Sequence, residues 1–318
     1  MKNNLLARFA ENIFWLARYM ERAENLARIL EVTGAHSRDD QGHQDWTAIL
    51  EMNADMERFR EHHRRVTVRS AARFYVLDQD NPTSIVFAVM MARENARSVR
   101  HLISTEMWTQ INMLHARLKE LGGRDIVPTR LAGLCGDIKE ACQAHTGITE
   151  GTLYQDEGWS FYWMGKAIER ADQTSRLVDI GHRRATLSGH AFDSLALESH
   201  WTVMLHSAAG YQAFCRTHRV RMHPSEVLDF LLLGRRFPRS IATCLDEAHA
   251  FMARLRDLHG VNVERAGLPL LDGLKARLIA TRLEDVVNGG LHDFIDDVQR
   301  QLTAFTSELA RSVFGHDF

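Results

Sequence analysis

No apolar run in this chain approaches the length that crossing a bilayer requires. The longest, Ile85 to Ala92, falls far short of the roughly 20 residues of a membrane helix. Arg8 and Glu11 interrupt the stretch where a secretory leader would be apolar, so no leader is expected and the chain reads as cytoplasmic. Cysteine is scarce. Cys135, Cys142, Cys215 and Cys244 form no CxxC pair, which excludes a zinc knuckle and a thioredoxin-type motif. All four read as small buried side chains in a reducing compartment. Only five prolines occur, leaving long stretches free to be helical. Neither sign of charge dominates: 39 Lys and Arg face 41 Asp and Glu. Neither nucleic acid nor a membrane surface is therefore expected as a partner.

Catalytic signatures are missing as well. The sequence has no GxxxxGK[ST] loop, GxGxxG turn, GxSxG elbow or HExxH helix. The seventeen histidines invite a metal, but a di-metal bundle needs Glu-x-x-His on two helices. Only Asp246 and His249 approximate that spacing, without a matching partner, so no metal and no cofactor is expected. Nothing in spacing joins Cys135 or Cys215 to a histidine as a nucleophile would require.

What the sequence has in abundance is helical periodicity. Ile13, Leu16, Ala17, Met20, Ala23, Ala27 and Leu30 recur at steps of three and four, one stripe of a helix. The pattern continues through Ile85–Val99, Leu114–Leu121, Leu131–Ala141, Phe161–Val178, Val203–Phe214, Ile241–Leu258, Leu274–Val287 and Leu291–Leu309. Sustained period-two alternation is absent. The expected fold class is all-α, a helical bundle that buries these stripes against each other. Loops are expected at Ser37–Gln44, Gly122–Pro128, Gly147–Gly158, Ser188–Asp193 and His259–Pro269.

The chain also repeats itself. Phe14-Trp15-Leu16-Ala17-Arg18-Tyr19-Met20-Glu21-Arg22-Ala23-Glu24 returns as Tyr162-Trp163-Met164-Gly165-Lys166-Ala167-Ile168-Glu169-Arg170-Ala171-Asp172, with Arg28 matching Arg176 and Glu31 matching Asp179. Trp46-Thr47-Ala48-Ile49-Leu50 returns as Trp201-Thr202-Val203-Met204-Leu205. A third block pairs Pro82-Thr83-Ser84-Ile85 with Pro224-Ser225-Glu226-Val227, and Arg93 and Arg97 with Arg235 and Arg239. Colinear blocks predict two tandem copies of one helical unit, residues 1–150 and 151–318, packed as one all-α domain. Pro82 and Pro224 are expected in first helical turns, with Asn81 as an N-cap. Pro238 aligns with Ala96, which predicts a bend near Asn95-Ala96.

Repeated tryptophans suit a core; repeated charges do not, since Glu and Arg are rarely buried unpaired. On the first helix Glu21, Glu24 and Arg28 line one flank of the apolar stripe, and Arg18, Arg22 and Asn25 the other. Glu169, Asp172 and Arg176, with Lys166 and Arg170, rebuild the arrangement. Two readings stand side by side. The charges are internal ion pairs that set helix register. Or they line a cleft shared by the copies, where Arg holds a carboxylate or phosphate and Glu or Asp holds an ammonium group, as an amino acid or peptide would need. The candidate set is Glu21, Arg22, Glu24, Asn25, Arg28, Arg93, Arg97, Glu157, Glu169, Arg170, Asp172, Arg176, Arg235 and Arg239. Glu157, in the segment entering the second repeated helix, is expected to cap its positive end, with ligand contact as the alternative.

The segments Phe14–Arg28 and Asp156-Glu157-Gly158-Trp159 through Asp172, with Arg97-Ser98, resemble the alpha-E family, a helical domain named for its Glu-Arg motif. The resemblance covers the whole chain. It implies no catalytic residues. It does imply a setting, because such proteins often stand beside, or fused to, a circularly permuted ATP-grasp ligase-like protein, with transglutaminase-like peptidases also common neighbours. The expected role is therefore a helical partner or accessory subunit of an ATP-grasp-type system that forms amide or peptide bonds. The alternatives are an enzyme acting on an amino acid or small peptide at the Glu/Arg cleft, and a ligand-free scaffold.

Overall fold

The computed structural model describes residues 5, 7–36, 42–187, 194–218, 222–282, 286 and 290–316. Among these residues every regular element is helical and no strand occurs, so the chain is all-α. No helix is long and apolar enough to cross a membrane among the described residues. Two compact units divide the chain, residues 15–154 and residues 155–318 joined by residues 1–14.

The first unit takes most of α1 (Ala7–His36), then α2 (Gly42–Met52), α3 (Met56–His62), α4 (Val68–Val76), α5 (Ile85–Ser98), α6 (Thr105–Glu120) and α7 (Pro128–Thr152). Helix α6 packs between α5 and α7, while α4 touches α2, α5 and α7. Trp46, Phe59, Phe74 and Tyr75 fill its interior. Burial of such rings supplies much of the driving force for folding, about 25 cal/mol per Å² of apolar surface removed from water.

The second unit holds α8 (Glu157–Leu187), α9 (Ser194–Ser207), α10 (Tyr211–Thr217), α11 (Pro224–Leu232), α12 (Ile241–Arg254), α13 (Leu268–Ala280) and α14 (Leu291–Leu309). Helix α8 is the hub, packed by α9, α11, α12 and α14. The start of α1 belongs here because α8 leaves room for it. A Cβ on Gly165 would lie 2.5 Å from the Phe14 carbonyl oxygen, and one on Gly158 would lie 2.9 Å from Ile13 Cδ1. Phe314, just past α14, then packs its ring at a tilt against Phe14 and Phe161.

Local geometry recurs in the two units. Helices α2 and α9 both end in a Schellman motif, with Asp55 N–H donating to the Leu50 carbonyl at 2.9 Å and Gly210 N–H to Leu205 at 2.7 Å. Ala54 and Ala209 occupy the left-handed position of those motifs. Phe59, His63 and Phe74 form an aromatic cluster with Phe74 edge-on, as Phe214, His218 and Phe230 do with Phe230 edge-on. Ser84 caps α5 and Ser240 caps α12, each accepting a backbone N–H three residues on at 3.1 Å.

These caps correct the third sequence block. The shift that carries Ser84 onto Ser240 carries Arg93 onto His249 and Arg97 onto Ala253, so Arg93/Arg97 and Arg235/Arg239 are not equivalent positions. Pro224 does open a helix, α11, but Pro82 lies in the turn before α5. Asn81 does not cap α5. Its side chain braces that turn, accepting from Thr83 N–H and donating to the Phe74 carbonyl. Pro238 likewise sits in the turn before α12, and Asn95-Ala96 lie within continuous α5, so no bend is needed there. Helix α7 runs through Gly147 to Thr152, where a loop was expected. The stretch Val203–Phe214 is broken at Ala208–Gly210, and the helix from Leu274 ends at Ala280. The expected loop at Ser188–Asp193 and most of that at Ser37–Gln44 lie outside the described residues, while Gly42 already opens α2.

Candidate functional site

The repeated charges lie where the periodicity of α1 and α8 puts them, alongside the apolar stripe. Glu21 and Glu169 have no exposed surface, and Glu24, Asn25, Arg28 and Lys166 are buried. Arg22, Arg170, Asp172 and Arg176 are half-buried. None of these ten side chains is without a partner. Isolated charges at such depth would cost several kcal/mol each, so burial on this scale demands pairing.

In the first unit Glu24 is the hub. It accepts from the guanidinium of Arg28 one turn on, and its Oε1 lies 3.4 Å from the Gln143 amide nitrogen of α7. Two turns beyond Glu24 on the same side, Glu31 accepts from Lys139 of α7. The second unit repeats both devices with altered residues. Asp172 pairs with Arg176 at 2.9 Å, and Asp179 pairs with His292 of α14 at 2.8 Å. Glu169 adds an acceptor for Gln173 at 3.1 Å. In each unit, then, one long helix is tied to another by a carboxylate on the first and a cation on the second. The Asp179 carboxylate holds the His292 imidazole above its usual range.

Glu157 does not cap α8. Asp156 does, accepting the N–H of Gly158 at 2.8 Å and of Trp159 at 3.4 Å. Glu157 instead accepts the N–H of Leu5 and faces His259 Nδ1 at 3.6 Å, tying the chain start to the π-helical turn Leu255–His259 that extends α12. The remaining candidates are dispersed. Arg239 is buried, and its carbonyl accepts from Thr174 Oγ1 of α8. Arg235 is exposed beside a small pocket lined also by Leu233, Asp246, Lys275 and Leu278. Arg93 and Arg97 lie on the α5–α6 face, where the Arg97 side chain is 68% exposed. Asp246 and His249 do not converge: Asp246 pairs with Lys275 and His249 with Asp272.

One buried polar network had no counterpart among the sequence candidates. The Asp55 carboxylate accepts from Tyr75 Oη at 3.2 Å, from Thr83 Oγ1, and from Arg58 at 2.9 Å. Its members are spread over three loops and helices, and no short motif joins them. At the offset that relates Ser84 to Ser240, or one residue less, the second unit has Gly210, Leu231 and Arg239, which cannot rebuild the network. Cys135, Cys142 and Cys244 are buried as expected, but Cys215 is exposed at the end of the short α10.

A family model described as a predicted alpha-helical domain with a conserved ER motif matches residues 5–314. Among curated proteins, an uncharacterised protein of Mycobacterium bovis and one of Mycobacterium tuberculosis are each 24% identical to this chain over 93% of its length. The chain spans 36% of those relatives. No solved structure matches.

Proposed function

We propose, from the premise that this chain belongs to the Alpha-E family, that it is a helical partner or accessory subunit of an ATP-grasp-type system that forms amide or peptide bonds. One observation carries this reading: in the mycobacterial relatives the matched region is about a third of a longer polypeptide. A helical body that shares its chain with a larger remainder in relatives is suited to act beside another folded protein. The burial of Glu21, Glu24, Arg28, Lys166 and Glu169 agrees with it, since charges enclosed this way serve packing and register rather than an open substrate pocket. A partner that consumes ATP places the complex in the cytoplasm.

The two units fit tandem copies of one helical module. Matching Schellman motifs, serine caps and aromatic clusters at equivalent points support that reading. Three colinear matches of such different kinds are hard to reach independently.

The test is reconstitution. The purified chain is mixed with an ATP-grasp ligase-like protein from the same organism, and size-exclusion elution and ATP turnover are followed. Co-elution with altered turnover is expected. Separate elution with unchanged turnover would refute the assignment.

A further inference from the structure

Helices α5 and α6 of the first unit carry a cationic surface that the buried rows of α1 do not involve. Four side chains of α6, Trp108, Asn112, His115 and Lys119, follow one another at steps of four, three and four and so share one face. Arg93 of α5 reaches across to it. Its Nε donates to Asn112 Oδ1 at 2.7 Å, and its guanidinium carbon stands 5.5 Å from the Trp108 ring centroid. Arg100, past the end of α5, stands 5.9 Å from the same ring. The indole is thus flanked by two guanidiniums, which holds both in place at little entropic cost. Arg97 lies one turn from Arg93 and pairs with Glu94, which also holds Arg93 at 3.0 Å. Lys119 is exposed at the far end.

Arg93 and Arg97 therefore share the Glu94 carboxylate, and Arg93 and Arg100 flank a half-buried tryptophan. The field is felt locally: burial, with Arg93 and Lys119 adding to it, pushes the His115 imidazole below its usual range despite Glu94. Solvated surfaces normally intersperse charges of both signs, and Arg and Trp are the residues that dominate binding energy when such a surface is covered.

We infer that the Arg93–Arg97–Arg100–Trp108 face is a docking surface for an acidic segment of a protein partner, with carboxylates meeting the guanidiniums and an apolar side chain meeting the indole. Charge complementarity selects the occupant. Glu94 in the middle of the patch and the net charge of -2 on the chain disfavour a continuous phosphate backbone, whereas separate carboxylates can straddle Glu94. That the occupant is a protein rests on the helical-partner reading above. The surface itself is tested without that partner.

The probe is a fluorescein-labelled glutamate dodecamer with one central leucine, titrated with the full chain and followed by fluorescence anisotropy. A twelve-nucleotide single-stranded DNA is titrated in parallel. Arg97→Glu and Arg100→Glu reverse charge inside the patch, while Arg69→Glu makes the same change at an exposed site on α4. Circular dichroism confirms that each variant is folded. Binding weakened about tenfold or more by each patch variant and unchanged by Arg69→Glu is the expected result. Absent binding, equal loss in all three variants, or tighter binding of the DNA would each overturn the inference. Failure here together with successful reconstitution would remove this surface and leave the accessory role standing.

Discussion

Ala54 and Ala209 hold the same left-handed backbone conformation, with φ of 54° and 57°, at the C-termini of α2 and α9. Each is the residue of a Schellman motif where glycine is usual, because a Cβ there crowds the neighbouring carbonyl. Relief of that crowding outweighs the extra freedom glycine has in the unfolded chain. Ala54→Gly and Ala209→Gly are expected to stabilise the protein by about 0.5 kcal/mol each. Ala54→Val is expected to destabilise it by about 1–2 kcal/mol. Urea unfolding of the three variants checks both signs, and opposite signs for the two glycine variants would deny the shared geometry.

Gly165 and Gly133 separate packing from propensity. A Cβ at Gly165 meets backbone of α1, which cannot step aside, so Gly165→Ala should cost about 2–3 kcal/mol. A Cβ at Gly133, inside α7, meets nothing within 4 Å, so Gly133→Ala should add about 1 kcal/mol through helix propensity alone. Thermal denaturation distinguishes the two. A neutral Gly165→Ala would show that α1 and α8 do not approach this closely.

The buried ion pairs differ in depth and should differ in worth. Arg28 and Glu24 are both buried, whereas Arg176 is about a third exposed. Arg28→Ala takes the paired guanidinium from a buried carboxylate and should cost about 3 kcal/mol. Arg176→Ala leaves Asp172 closer to water and should cost about 1 kcal/mol or less. Equal losses would mean that depth does not govern these pairs.

Alkaline pH should unfold the first unit progressively. Burial, then the Asp55 charge, raises the Tyr75 phenol well above its ordinary value of 10. The native state keeps a proton that the unfolded chain releases. The stability this contributes is complete below pH 10 and is lost as pH rises toward the native value. The Cys135 thiol, pushed up from 9.0 to about 12 by burial and by Glu31, acts in the same direction. Chemical denaturation across this range should show a declining free energy, and the decline should be shallower in Tyr75→Phe. An identical slope would exclude Tyr75 as a contributor.

Thiol labelling offers a direct check on the cores. Cys215 is exposed, whereas Cys135, Cys142 and Cys244 are buried. A chromogenic disulfide reagent should therefore modify one thiol of the native protein rapidly and the other three only in denaturant. The Cys215→Ser variant should lose the fast phase. A persistent fast phase would place another cysteine at the surface.

Much of this architecture was legible because it depends on local order. The stripe from Ile13 to Leu30 is buried along its length. Pro128 and Pro224 open helices because the first turn has no use for the N–H that proline lacks. Glu21 and Glu169 flank their stripes in the sequence and are enclosed in the fold, as helical geometry requires. The third sequence block misleads because its matched prolines stand in different settings, Pro82 in a turn and Pro224 at the start of α11. Ser84 and Ser240 share the same capping role, and a single serine is too common to stand out in one sequence.

Sequence alone determined the helical class, the family and the rows of charge beside each apolar stripe, since all three follow from residues within a few turns of one another. Tertiary structure decided which charges meet. Glu31 finds Lys139, Asp179 finds His292 and Arg93 finds Trp108 only after α7, α14 and α6 have packed, because those encounters join residues distant along the chain. It also decided depth. An arginine about one turn past its paired glutamate is buried at Arg28 and exposed at Arg97, according to what the neighbouring helix covers.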